Sequence, residues 1–294
     1  MLIARDVAVE VGGRITLEDA SFDVRAGDKV ALVGRNGAGK TSLLRVLAGD
    51  AQPLAGSVTL RGRLGWLPQE PRRDDDADTG RALDHVLAGR DLADAAVRLE
   101  KLRLAVDEDP SSRNVARFSK AEDAFASAGG YAADSEARRL VAGLGLAADR
   151  LDLPLSVLSG GERRRVELAR ILFGGTDVLL LDEPTNHLDN DAKGWLMGFL
   201  ASYRGALLVV SHDVALLDKA LTRVVHLDEG HLVQYKGTYT QYRTARALDE
   251  ARRARLAERQ QTEIRRLRSL ADKMRGQTVK RARTAHSLDS RARR

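Results

Sequence analysis

The sequence predicts an α/β fold with a mostly parallel core sheet, an antiparallel β subdomain, an inserted helical subdomain and a C-terminal basic helical arm. Three observations carry this. The apolar run Val30–Val33 enters a glycine-rich turn, and a helical pattern of Leu43, Leu44, Val46, Leu47 and Ala48 leaves it. The apolar runs Asp177–Leu181 and Ala206–Val210 read as buried strands, each ending in polar residues, and strands alternating with helices favour a parallel sheet. Charge is also segregated: from Arg243 onward there are 17 Lys+Arg against 6 Asp+Glu, net +11, while the rest carries 31 against 36, net −5. A shift of that size marks a boundary and a polyanion-binding tail.

Taken in order, residues 2–10 and the segment around Phe22–Val24 alternate as strands do, with Gly12-Gly13 as the turn. Gly56–Leu60 and Arg63–Leu67 read as a short hairpin around Gly62. Pro71–Asp78 is a charged loop. From about Arg81 to Leu146 the pattern is helical, interrupted at Asp109-Pro110-Ser111-Ser112 and at Ala128-Gly129-Gly130, which predicts three or four helices inserted over about 72–157. Beyond Pro154 a helix opens at Ser159 and runs to about Phe173, and another covers about 190–202. Val224–Leu227 and Leu232–Tyr235 flank Asp228-Glu229-Gly230 as a hairpin. Residues 1–242 thus form the globular part and 243–294 a basic arm. From Tyr242 the arm is one long helix with a narrow stripe of Ile264, Leu267, Leu270, Ala271 and Met274, ended by Gly276 and followed by a second basic segment, Lys280–Arg294.

Composition sets outer limits. The chain has 294 residues and no cysteine, which leaves neither a disulfide framework nor a thiolate metal site. Arg5 and Asp6 interrupt the N-terminus before a signal-peptide core could form, and no apolar run approaches the ~18 residues that span a bilayer. The expected location is the cytoplasm.

The chemistry begins at Gly34-Arg35-Asn36-Gly37-Ala38-Gly39-Lys40-Thr41-Ser42, a G-x-x-x-x-G-K-T phosphate-binding loop in its required strand–turn–helix context. Glycines let backbone N–H groups turn inward around phosphate oxygens, and the helix N-terminus adds partial positive charge. Lys40 supplies a full charge for the phosphates and Thr41 a hydroxyl ligand for Mg²⁺. The chain is therefore expected to bind a nucleoside triphosphate. Asp182, at the end of a buried strand, can hold Mg²⁺ through water, and Glu183 can orient or deprotonate an attacking water. Gln69 and His212 are weaker singly: Gln69 can reach Mg²⁺ or that water, and His212 a γ-phosphate oxygen. Ser159-Gly160-Gly161-Glu162 reads both as a capping box and as exposed N–H groups suited to phosphate.

In the order GRNGAGKT, LPQ, LSGGE, LLLDEPTNHLD and SHD, these motifs make residues 1–242 resemble an ATP-binding cassette (ABC) ATPase. That resemblance implies ATP with Mg²⁺, Gln69 as the Q-loop, Ser159–Glu162 as the signature, Leu188-Asp189 as the D-loop and His212 as the switch histidine. It also implies that ATP is sandwiched between the P-loop of one cassette and the signature of another, so a second cassette is needed for full activity. The text Asp182-Glu183-Pro184-Thr185-Asn186-His187-Leu188-Asp189 resembles the ABC-F branch, as do the long insertion after Gln69 and the Tyr235–Tyr242 segment. In that branch the following basic helix starts an inter-cassette linker that reaches toward tRNA on the ribosome, and residues 243–294 are expected to contact ribosomal or transfer RNA. Val11 stands where the family places an adenine-stacking aromatic, which opens the possibility of GTP binding. Competing readings are the energising subunit of a membrane transporter and a DNA-associated coiled-coil ATPase. Against the first stand the Asn186-His187 pair and the basic arm; against the second, the position of the arm after a complete cassette. A solvated coiled coil with no RNA partner is the alternative reading of the arm.

Overall fold

The computed structural model describes residues 1–69 and 80–274. Its contacts divide the chain into two units, Met1–Tyr239 and Thr240 onward. Expectations for Pro71–Asp78, Gly276 and Lys280–Arg294 lie outside the described residues.

Two sheets build the first unit. β1 (Leu2–Val11) and β2 (Arg14–Val24) form an antiparallel pair about Gly12-Gly13, and β4 (Ala55–Leu60) joins the other side of β1. Six further strands order as β5 (Leu64–Leu67), β6 (Val178–Asp182), β7 (Ala206–Val210), β3 (Lys29–Gly34), β8 (Arg223–Asp228) and β9 (His231–Lys236). All neighbours are parallel except the β8–β9 hairpin. β6 and β7 are buried along their whole length, as unbroken aliphatic runs require in a sheet covered on both faces.

The expected hairpin around Gly62 does not form. β4 pairs with β1, and β5 pairs in parallel with β6, so the chain crosses from one sheet to the other between them. Gly62 makes this crossing with φ +99°, and a Cβ there would meet the Asp177 side chain, whose Oδ2 accepts from the Arg63 N–H at 2.7 Å. Burial separates the strands: β4 is largely exposed, while Gly65, Trp66 and Leu67 of β5 are buried.

A core of aliphatic side chains joins the two sheets and α1 (Lys40–Ala48): Leu2, Val7, Leu17 and Val24 come from the antiparallel sheet, Val30, Leu32, Leu180 and Leu208 from the larger one, and Leu43, Leu44 and Leu47 from the helix. The helical insertion comprises α2 (Ala82–Leu87), α3 (Leu92–Glu108), α4 (Ser112–Ser127) and α5 (Ala133–Gly143). The breaks between α3, α4 and α5 fall where Asp109-Pro110 and Gly129-Gly130 place them. α6 (Gly160–Phe173) packs on α2, α5 and β5. At its C-terminal end Arg90 lies over the Phe173 ring, 4.0 Å from the centroid, donates to the Phe173 carbonyl at 2.6 Å and grips Glu136 with both terminal nitrogens. α7 (Asn190–Ser202) packs on α5 and on α8 (Val214–Ala220).

The second unit carries most of α9, a 36-residue helix, Tyr239–Met274. At 1.5 Å per residue it is about 54 Å long. Its first turns are partly covered, with Tyr242 buried, residues 250–263 are exposed, and Ile264 and Leu267 are half-buried; pairs such as Arg246–Glu250 at 2.6 Å support the helix locally.

Candidate nucleotide site

The parallel ladder brings separated pieces of sequence to one edge. β5 ends opposite β6 at Leu67 and Leu181, β6 opposite β7 at Asp182 and Val210, and β7 lies beside β3. Because all four run the same way, Gln69, Asp182-Glu183, His212 and the loop after Gly34 emerge together, at the carboxyl ends where α/β folds place ligands.

In the loop, Asn36 and Gly37 are exposed and Ala38 to Ser42 half-buried. Gly39 is left-handed at φ +99°, and a Cβ there would meet Thr16 Oγ1 at 2.7 Å, so only glycine fits between loop and β2. Gly39 is also the N-cap of α1 and offers no capping side chain, which leaves first-turn N–H groups facing outward as a phosphate cradle needs. Lys40 Nζ donates to the Gly34 and Arg35 carbonyls, each at 3.0 Å. Burial lowers the Lys40 pKa, while Glu183 and Asp182 oppose that shift.

Asp182 is 1% exposed, and neither of its carboxylate oxygens has a well-formed hydrogen bond, the Thr41 hydroxyl being the side-chain donor that acts on them. Burial raises its pKa against the pull of the Thr41 hydroxyl, Arg164, Lys40 and His212. Thr41 Oγ1 lies 3.4 Å from Gln69 Oε1. A hydroxyl, an amide oxygen and a buried carboxylate form a hard, oxygen-only donor set, which fits Mg²⁺. Among the described residues no group of three or more His, Cys, Asp or Glu is arranged to hold a metal ion.

Glu183 follows in a left-handed conformation, φ +49°, with its N–H donating to the Val210 carbonyl at 2.8 Å. Its Oε2 accepts from the His212 N–H at 3.3 Å, and its Oε1 lies 3.4 Å from His212 Nε2. Burial raises the Glu183 pKa, opposed by His212 and reinforced by Asp182. Non-glycine residues at positive φ are uncommon and cluster at functional sites. His187, four residues on, is another, at φ +67°.

Ser159, Gly160 and Gly161 form a separate group at the start of α6, where the capping-box reading of the motif is the one observed. The capping box is complete: Ser159 Oγ accepts from the Glu162 N–H at 3.4 Å, and Glu162 Oε2 accepts from the Ser159 N–H at 2.8 Å. Arg150 grips Glu162 at 2.8 and 3.1 Å and, with the Ser159 N–H, holds its pKa down at about 2. Ser159 and Gly160 remain exposed, and a Cβ on Gly161 would lie 3.8 Å from that of His187.

Two family profiles, each described as ABC transporter, match residues 17–186 and 225–294. The probable ATP-binding protein YheS of Escherichia coli K12 is 34% identical over 95% of this chain and 43% of its own length. The chain belongs to the ABC-F family of ATP-binding cassette ATPases. Other relatives are the tylosin resistance ATP-binding protein TlrC of Streptomyces fradiae, 34% identical over 88% of this chain and 48% of its own, and the energy-dependent translational throttle protein EttA of Haemophilus influenzae, 33% identical over 89% and 46%. This ABC-F chain therefore spans less than half the length of these relatives. Among solved structures, the ATP-binding subunit of an ABC transporter matches with TM-score 0.58 at 20% identity, covering 84% of this chain and 94% of its own. The dimeric bacterial cassette MJ0796 matches with TM-score 0.56 at 19% identity, covering 80% and 98%. Both show the cassette fold.

One residue of this cassette escaped the sequence reading. Arg164 is buried, with its guanidinium donating to the Pro68 and Asp182 carbonyls. It sits in the run Arg163-Arg164-Arg165. The available signal was its helical spacing from Leu168 and Leu172, four and eight residues on, which puts it on the buried face.

Proposed function

We propose that this chain is one cassette of an ABC-F ATPase that acts on the ribosome in the cytoplasm, hydrolysing ATP with Mg²⁺ in a head-to-tail sandwich with a second cassette. The observation that carries this is the carboxylate pair at the end of β6, one member buried without a well-formed hydrogen bond beside Thr41 and Gln69, the other set against His212.

The loop residues Gly34, Asn36, Gly37, Ala38, Gly39, Lys40, Thr41 and Ser42 bind the phosphates, and Lys40 exchanges its two carbonyl partners for phosphate oxygens. Thr41, Gln69 and Asp182 would hold Mg²⁺, which neutralises phosphate charge when bound. Glu183, its pKa raised by burial, takes a proton from the attacking water as that water bonds to the γ-phosphorus and ADP leaves. His212 steadies Glu183 and the γ-phosphate. Ser159, Gly160 and Gly161 cap the triphosphate held by the other cassette, whose signature caps this one. That cassette belongs either to the same longer chain or to a second copy. The aliphatic Val11, 44% exposed, offers no ring for a base to stack on, which loosens base selectivity and supports use of GTP as well as ATP.

The arm, 243–294, supplies the nucleic-acid contact. Its net +11 predicts salt-dependent, sequence-independent binding to ribosomal or transfer RNA, and it has no Phe, Tyr or Trp for base stacking. The names of EttA and TlrC, a translational throttle and an antibiotic-resistance protein, support a role in translation. No helix among the described residues is long and apolar enough to cross a membrane. The test is co-sedimentation of a Glu183→Gln variant in ATP. Pelleting with ribosomes, reduced by charge reversal of arginines between Arg252 and Arg268 at unchanged ATP affinity, is expected. Pelleting with membranes or DNA instead would overturn the reading.

A further inference from the structure

A buried guanidinium is tolerated only when its donors are satisfied, so what Arg164 bonds to shows what it is for. One terminal nitrogen donates to the Pro68 carbonyl and the other to the Asp182 carbonyl, the latter at 3.1 Å. Each carbonyl belongs to a peptide plane shared with the next residue: Pro68 with Gln69, and Asp182 with Glu183. The ladder between β5 and β6 reaches its last register pair at Leu67 and Leu181. Arg164 therefore begins where the sheet stops and bridges the two strand extensions with one planar fork. The same residue sits in the second turn of α6, the helix that presents Ser159, Gly160 and Gly161.

We propose that Arg164 is a positioning residue that holds the Pro68–Gln69 and Asp182–Glu183 peptide planes in register, so that Gln69, Asp182 and Thr41 converge on one Mg²⁺ in the nucleotide complex. The proposal rests on the nucleotide-site reading above. The fork is specific to arginine, because lysine offers a point charge rather than two coplanar donors. Lys40 and the cradle of N–H groups do not depend on it. Loss of Arg164 thus weakens the metal-dependent part of binding and spares the metal-independent part. It also links α6 to both strand ends.

The experiment measures affinity for a non-hydrolysable ATP analogue, in EDTA and in Mg²⁺, for wild type, Arg164→Met and Arg164→Lys, with a urea melt of each. Wild type is expected to bind more tightly in Mg²⁺. Arg164→Met is expected to lose about tenfold or more of that enhancement, the range for residues that orient a metal ligand. Its affinity in EDTA stays within about twofold, and kcat falls more than KM rises. Arg164→Lys falls between the two. Unchanged Mg²⁺ enhancement in Arg164→Met, or equal loss in EDTA and Mg²⁺, would overturn the proposal by making Arg164 irrelevant or merely structural. If the methionine variant does not fold, full enhancement in Arg164→Lys overturns it equally. A wild type with no Mg²⁺ enhancement, or with nucleotide affinity unaltered by Lys40→Ala, would bring down the nucleotide-site reading itself.

Discussion

Replacing Asp182 with asparagine should make the protein more stable while disabling it. The carboxylate is 1% exposed and both its oxygens lack a well-formed hydrogen bond. An unsatisfied buried polar atom costs about 1–3 kcal/mol, and a charged one more. The Thr41 hydroxyl and the charges of Arg164 and Lys40 offset part of that, so a net gain of ~1–2 kcal/mol is expected for the isosteric neutral amide. For a unit of this size that corresponds to about 2–8 °C in Tm. Burial raises the folded-state pKa of Asp182, so the penalty is fully present above that raised value and disappears below the unfolded one. The gain should thus be largest near pH 8 and shrink as the pH falls toward about 4. Thermal and urea melts in EDTA at pH 8 and pH 5 measure it. In ATP and Mg²⁺ the order should reverse, because ligand binding stabilises only the protein that binds. An unchanged or lower midpoint for Asp182→Asn in EDTA at pH 8, or a gain independent of pH, would refute the reasoning.

Three other outcomes are expected. Lys40→Ala should weaken nucleotide binding by about ten- to a hundredfold per lost charged contact, ~1.5–3 kcal/mol each, measured by titration calorimetry. Glu162→Gln should be less stable than wild type at pH 7, and the difference should close as the pH falls from 4.5 to about 2, because a depressed carboxylate pKa stabilises only while the group is ionised. A pH-independent difference in urea melts would mean that the Arg150–Glu162 pair does not stabilise the cap. Gly143→Ala puts a methyl 2.2 Å from the Trp195 ring and should cost about 1–3 kcal/mol in the same melts, as overpacking does.

The legible parts of the sequence were those governed by local physics. The P-loop unit, the capping box at Ser159 and Glu162, the helix breaks at Pro110 and Gly129-Gly130, and the β8–β9 hairpin all follow from turn chemistry and periodicity. What was misread depends on distant partners. Gly62 flanked by two short strands reads as a hairpin, because nothing local says that β4 belongs to β1 and β5 to β6. The contrast between the mixed Ala55–Leu60, interrupted by Gly56, Ser57 and Thr59, and the Leu64–Leu67 run, which has no polar side chain, was the overlooked sign, since a continuous apolar run favours a central parallel strand. Arg164 was hidden for a related reason: its carbonyl partners lie 96 and 18 residues away, and its neighbours are both arginines. At the candidate site, residue types were readable, but the left-handed backbone of Glu183 was not.

The strand order also fixes when the site can exist during synthesis. β3, which leads into the phosphate loop, sits between β7 and β8, and its register pairs Val30 with Leu208 and with Arg223. A nascent chain that has emerged only through the helical insertion therefore carries the P-loop sequence with both edges of its strand unpaired. Loop closure over that distance makes such pairing slow and leaves a sticky intermediate. The strand that carries the proposed nucleotide loop is framed on both edges only once β7 and β8 have been made.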